Sequence, residues 1–268
     1  MADKSLTLTI VIPAYNEQDY LKSCLESIAD QTVRPQEVIV VDNGSSDKTS
    51  EVAAKFPFVK LMREPRRGRS FAQNTGFDAA ESSIIGRLDA DTRLEPDWVA
   101  SVLEYFGDHP GVSAVTGVAR FYDFPFRRLS PALHNILYRL SQKIIAGTEV
   151  LWGANMAIRS KDWKKISHKS QFDNRIDEDI AISLYMKKVG LKIERVPTMR
   201  VGVSMRRGDM GFISTIRYLS TWPRNYWLYH LYARGLIISL LAGVIVLLGV
   251  PLYIWSFFQK DLDRAAGN

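Results

Sequence analysis

Ser83-Ile84-Ile85-Gly86-Arg87-Leu88 runs directly into Asp89-Ala90-Asp91. The apolar part reads as a short buried strand over 84–88, and the acidic pair as its exit. Side chains alternate along a strand, so carboxylates one residue apart point the same way. Such a pair can grip a divalent cation, and the cation can hold a diphosphate. An ordinary surface turn carries the same residues, so the flanking sequence has to decide between them.

On either side, strand patterns alternate with helix patterns. Apolar, β-branched runs over 6–12, 37–41, 59–62 and 112–118 read as further strands. Helices are predicted over 19–29, where Leu21, Leu25 and Ile28 share a face, and over 46–56, 70–80 and 96–107. This order predicts an α/β fold: a Rossmann-like, mainly parallel, twisted sheet with helices on both faces. Ligands of such sheets bind beyond the carboxyl ends of the strands. Pro13-Ala14-Tyr15, Asp42 and Asp89-Ala90-Asp91 all fall at those ends. The second half is less regular. Amphipathic helices are predicted over 131–146 and 177–189, the latter opening on Asp177-Glu178-Asp179. Acids at a helix start are also ordinary capping chemistry.

The chain has 268 residues, which suits one large domain or one domain plus an appendage, and a formal net charge of +6. The basic excess is clustered, as in Arg63, Arg66, Arg67 and Arg69, which suits a phosphate-bearing ligand or anionic lipid as well as a solvated loop. No nucleic-acid partner is expected. Cys24 is the single cysteine, so no internal disulfide forms. Residues 1–5 lack the pattern of a signal peptide. From Gly235 to Phe258 no residue is charged. About 24 helical residues reach roughly 36 Å, enough to cross a bilayer. Arg217, Arg224 and Arg234 precede the span, while Lys260 and Arg264 beyond it stand among acids. This bias predicts a single-pass membrane protein with its N-terminal domain in the cytoplasm. Aromatic and basic residues over 206–234 suit the bilayer interface, and 259–268 form a tail.

The order of motifs is similar to that of the inverting family-two glycosyltransferases. The resemblance rests on Val11-Ile12-Pro13-Ala14-Tyr15-Asn16-Glu17, on Val40-Val41-Asp42-Asn43-Gly44-Ser45-Ser46-Asp47, and on the spaced Gly68, Ala72, Asn74 and Gly76. Leu88-Asp89-Ala90-Asp91, Gly153-Ala154-Asn155-Met156-Ala157-Ile158-Arg159 and Glu178-Asp179 follow in order. It implies a catalytic domain of glycosyltransferase A type over 1–205, with a nucleotide-binding half to about 118 and an acceptor half after it. It further implies that Pro13, Ala14, Tyr15, Glu17 and Asp42 hold the base and ribose of a nucleotide-sugar donor. Gly68, Arg69 and Asn74 would line the donor loop. Asp91 would bind Mg2+ or Mn2+ directly, with Asp89 on ribose or metal-bound water and Ala90 between them. Asp179 becomes the general base, and Glu178 orients the acceptor or its loop. Trp152, Asn155 and Arg159 would shape the sugar and acceptor pocket, and Arg206 and Arg207 would meet a diphosphate or an acceptor phosphate.

Two departures stand out. Gln73 replaces an arginine common before Asn74, which leaves phosphate pairing to Arg66, Arg67 or Arg69, and no histidine follows the acidic helix at 201–205. The implied acceptor is a hydroxyl, on a glycan or a lipid-linked saccharide; a polyprenyl phosphate is the alternative.

Overall fold

The computed structural model describes residues 6–122, 145–169, 176–204, 216, 219–244 and 247. The chain divides into two compact units, Met1–Met205 and Arg206–Asn268.

In the first unit, β1 (Leu8–Ala14), β2 (Glu37–Asp42), β3 (Val59–Arg63) and β4 (Ile84–Arg87) lie in parallel, with β1 between β2 and β4. β1 is apolar on both faces because both are covered. Ile10 and Ile12 face α1 (Leu21–Ala29) and α4 (Trp98–Asp108), whose buried residues include Leu21, Leu25, Trp98 and Phe106. Val11 faces the opposite way with Ile39 and Val41, against Ala72 and Phe77 of α3 (Arg69–Ala79). Each such side chain contributes about 1.5–3 kcal/mol on burial. α2 (Thr49–Ala54) is shorter than the pattern predicts. The residues before it are bound elsewhere: Ser46 N–H donates to Asn16 Oδ1, and Lys48 N–H to Gln18 Oε1.

Beyond β4 the sheet departs from the expected parallel arrangement. After β5 (Arg93–Leu94) and β6 (Ala114–Phe121) comes β7 (Met156–Arg159), followed by α5 (Ser160–Ile166), α6 (Glu178–Lys188) and β8 (Ile193–Val203). Among the described residues the sheet is eight-stranded and mixed, in the order β3-β2-β1-β4-β7-β6-β8-β5. β7 is antiparallel to both neighbours, with Arg87 opposite Met156 and Ile84 opposite Arg159. A strand that starts at the carboxyl edge has to run back down the sheet. β7 therefore begins beside the end of β4 and finishes about 10 Å away, at the opposite edge.

α6 is also not amphipathic in its first turns: every residue from Glu178 to Leu184 is buried. Asp177 caps it, accepting from Ile180 N–H. The helix expected over 131–146 lies almost wholly outside the described residues.

In the second unit, α7 (Thr221–Leu228) precedes a helical stretch over 232–244. Among the described residues no helix is long and apolar enough to cross a membrane. Much of the expected span 235–258 lies outside them, as do Arg206 and Arg207.

Candidate active site

The carboxyl ends of β1, β2 and β3 carry three loops that are stitched to one another. Asn16, with a left-handed φ of 55°, accepts from Ser46 N–H, and Glu17 N–H donates to Thr49. Asn43 extends its amide to the carbonyls of Glu64 and Arg66 and accepts from Gly68 N–H at 2.9 Å. Gly68 takes φ 143°, a conformation that excludes a β-carbon, and launches α3. Pro13 is half-buried, Ala14 is buried, and Tyr15 projects with 46% exposure. The Arg67 guanidinium lies 4.2 Å from the Tyr15 ring centroid, so a planar group stacking on that face has to replace it. Asp42 accepts from Ser45 N–H and from the Ser50 hydroxyl. Burial acts to raise the Asp42 carboxyl, but these hydrogen bonds outweigh it and hold it below its ordinary value.

The arginines of the 63–69 cluster divide. Arg66 forks onto Glu64 at 2.8 Å, and its hydrogen bonds hold the Glu64 carboxyl at about 2. Arg66 is thereby committed within its own loop, and Arg67 sits on Tyr15. Arg69 pairs with Glu178 at 3.0 Å. It is the member of the cluster that joins the carboxylates across the site. Asn74 lies buried on α3, and the fully buried Gln73 amide makes no hydrogen bond.

At the end of β4 stands a charged residue inside an apolar strand. Arg87 is fully buried. Its Nη2 reaches Asp89 at 3.0 Å and Glu178 at 3.3 Å, while Nη1 reaches Asp179 at 2.9 Å. Asp89 at the strand end and the acid pair at the head of α6 thus share one guanidinium. Asp179 is also gripped from its other oxygen, by Gly153 N–H at 2.6 Å. Gly153 has to be glycine: a β-carbon there would lie 1.0 Å from Arg87 Nη1. The loop is held to α6 again where Leu151 N–H donates to Ser183 Oγ.

The cluster holds three carboxylates, Asp89, Glu178 and Asp179, against the guanidiniums of Arg69 and Arg87. Burial pushes Asp179 up to about 7; Arg87 opposes this, and Glu178, Asp177 and Asp89 reinforce it. Glu178 moves down, since its two arginines outweigh burial. The apolar run around Arg87 was the available signal, because a charge inside a buried strand requires partners.

Asp89 is partly exposed, while Ala90 and Asp91 are buried. Burial, then Asp91, Asp89 and Glu17, push the Cys24 thiol up, and Cys24 Sγ donates to the Asp89 carbonyl at 3.8 Å. Among the described residues no cluster of three or more His, Cys, Asp or Glu is set to hold a metal ion. Two hard carboxylates still match a cation such as Mg2+, which takes its remaining oxygens from phosphate and water.

Two expected pocket residues serve the scaffold instead. Asn155 is fully buried, accepts from Trp98 Nε1 at 2.7 Å and donates to the carbonyls of Val118 and Met199. Arg159, at the far end of β7, donates to the carbonyls of Val112, Phe106 and His109. The antiparallel course of β7 carries it away from the carboxyl edge. Trp152 is half-buried against the core, with its backbone N–H donating to Thr116 Oγ1. Asn155→Ala leaves three buried groups unpaired and is expected to cost ~3 kcal/mol or more. The melting midpoint of a domain of this size should fall by about 6–12 °C. A midpoint close to wild type in calorimetry would reopen a ligand role for Asn155.

Residues 9–169 match the family model for glycosyl transferase family 2. The chondroitin synthase of Pasteurella multocida (strain Pm70) is 40% identical over 103 residues, 37% of this chain and 11% of that protein. The chain spans well under two thirds of the curated relatives it matches, 35% in one case and 11% in another. Among solved structures, the mannosyltransferase PcManGT from Pyrobaculum calidifontis, in complex with GDP-Man and Mn2+, aligns with a TM-score of 0.65. The identity is 21%, over 99% of this chain and 77% of that one. S. aureus TarS 1-349 in complex with UDP-GlcNAc aligns with a TM-score of 0.59 at 17% identity, over 75% of this chain and 59% of that one. Both likenesses are of fold, an α/β arrangement of glycosyltransferase A type.

Proposed function

The chain belongs to glycosyl transferase family 2, and we propose that it moves a sugar from a nucleoside-diphosphate donor to a hydroxyl with inversion at the anomeric carbon. The observation that carries this is the single guanidinium shared by Asp89 and Asp179. It brings a donor-side carboxylate and a base-side carboxylate within reach of one sugar. Tyr15 and Asp42 take the base, and Asp42, held ionised, accepts the imide N–H of a uracil. Gly68 and Asn74 line the loop over the donor. Arg69 meets the diphosphate from the start of α3.

A bound Mg2+ or Mn2+, held by Asp91 with help from Asp89, would offset the charge gathering on the departing diphosphate. Asp179 removes the proton of the attacking hydroxyl, while Glu178 orients the acceptor side. Trp152 offers the sugar an apolar wall.

The acceptor proposed is a lipid-linked saccharide. In the second unit Leu236, Ile237, Leu240, Leu241, Val244 and Leu247 are exposed. They open the uncharged stretch that continues to Phe258. This favours a membrane-spanning helix over 235–258, with the catalytic unit on the cytoplasmic side and Arg206 and Arg207 near headgroup or acceptor phosphates.

The test is a thermal-shift series with UDP-, GDP- and dTDP-sugars, with and without Mn2+. A ligand at a hundred times its Kd stabilises by ~2.7 kcal/mol, about 5–10 °C for a domain of this size. The expected result is a shift of that order with a UDP-sugar and Mn2+ together. No shift with any donor overturns the proposal.

A further inference from the structure

We propose that Arg87 is a positioning residue, whose one buried guanidinium fixes the base Asp179 in line with the donor-side Asp89. This rests on the transfer reaction proposed above and adds to it the element that aligns its two halves.

Three observations carry the inference. Arg87 is fully buried, and its planar fork splits between the two sites, Nη1 to Asp179 and Nη2 to Asp89 and Glu178. The carboxylate of Asp179 is held at both oxygens, by Arg87 and by Gly153 N–H, which fixes its rotamer. Gly153 is cut to the guanidinium, since a β-carbon would lie 1.0 Å from Nη1 and 2.6 Å from Asp179 Oδ2. Stability alone is a weak reason for such a cluster. Well-packed apolar residues in place of a buried ion network are often as stable or more so. A fork with fixed angles does what apolar packing cannot: it sets the direction of two carboxylates relative to each other.

Two variants of the full chain test this. Arg87→Lys keeps the charge but offers no planar fork. Gly153→Ala displaces the guanidinium without changing any charge, and carries the test if the lysine variant does not fold. The probes are UDP with Mn2+ for binding by calorimetry, and UDP-GlcNAc and GDP-mannose for release of the free nucleotide. Release is expected to fall about 100-fold in both variants, with UDP affinity held within about threefold. Combining Gly153→Ala with Asp179→Asn should give no further loss, because both act through one carboxylate. Release near the wild-type rate, independent losses that multiply, or UDP affinity falling in step with release would overturn the assignment. A wild-type chain that binds UDP or GDP yet releases neither overturns the assignment while sparing the donor site. One that binds neither removes the transferase reading itself.

Discussion

Asp179→Asn is expected to lower nucleotide release from the sugar donor by about a hundred- to ten-thousand-fold, the contribution of a positioned general base. Asparagine keeps the size of the side chain and an oxygen for Arg87, but cannot take a proton. Donor affinity should survive, since the proposed donor contacts lie at the ends of β1, β2 and β4. The raised carboxyl of Asp179 adds a second signature. A group with a pKa near 7 is protonated below that pH and cannot act as a base, and it is ionised and competent above it. In the wild type kcat/KM should therefore rise with pH and level off above about 7. That limb should disappear in Asp179→Asn, leaving a low, flat profile. A variant that loses stability but keeps both its rate and its limb would identify Asp179 as a first-turn acid of α6 and no more. Robust transfer to a polyprenyl phosphate by the same variant would point to an acceptor that arrives already ionised.

How much of this was readable beforehand depended on whether the information was local. β1 to β4 and their helices were legible because each buried face is written in its own few residues: Ile10 and Ile12 on one side, Val11 on the other. Asp177 was legible as a cap for the same reason. β7 was not, because three apolar residues and an arginine carry no mark of direction, and its antiparallel course follows from where the chain re-enters the sheet. That one reversal explains why Arg159, the last residue of the Gly153–Arg159 motif, holds backbone carbonyls rather than ligand. Arg87 was hidden by distance: its acids at Glu178 and Asp179 lie about ninety residues on, and no local pattern announces them. The clue was physical rather than statistical, since an arginine within a buried strand has to be answered by acids somewhere.

Asp91→Asn is the other large effect, and it separates the two aspartates of the motif. Arg87 bonds Asp89, Glu178 and Asp179, and does not engage Asp91. Removing the charge of Asp91 therefore leaves the guanidinium cluster balanced, while Asp89→Asn upsets both the cluster and the donor side. If Asp91 holds the cation, its loss should cost several kcal/mol of stabilisation on the leaving diphosphate, or about a hundred-fold or more in release. Binding of UDP should lose its dependence on Mn2+, so a chelator weakens UDP binding to the wild type and makes no difference to the variant. Calorimetric titration of UDP with Mn2+, then with excess chelator, reads this directly. Equal Mn2+ dependence in wild type and Asp91→Asn would move the cation elsewhere. The tightly held Asp89, rather than Asp91, would then be the carboxylate to examine, through an Asp89→Asn variant expected to lose Mn2+ dependence and thermal stability together.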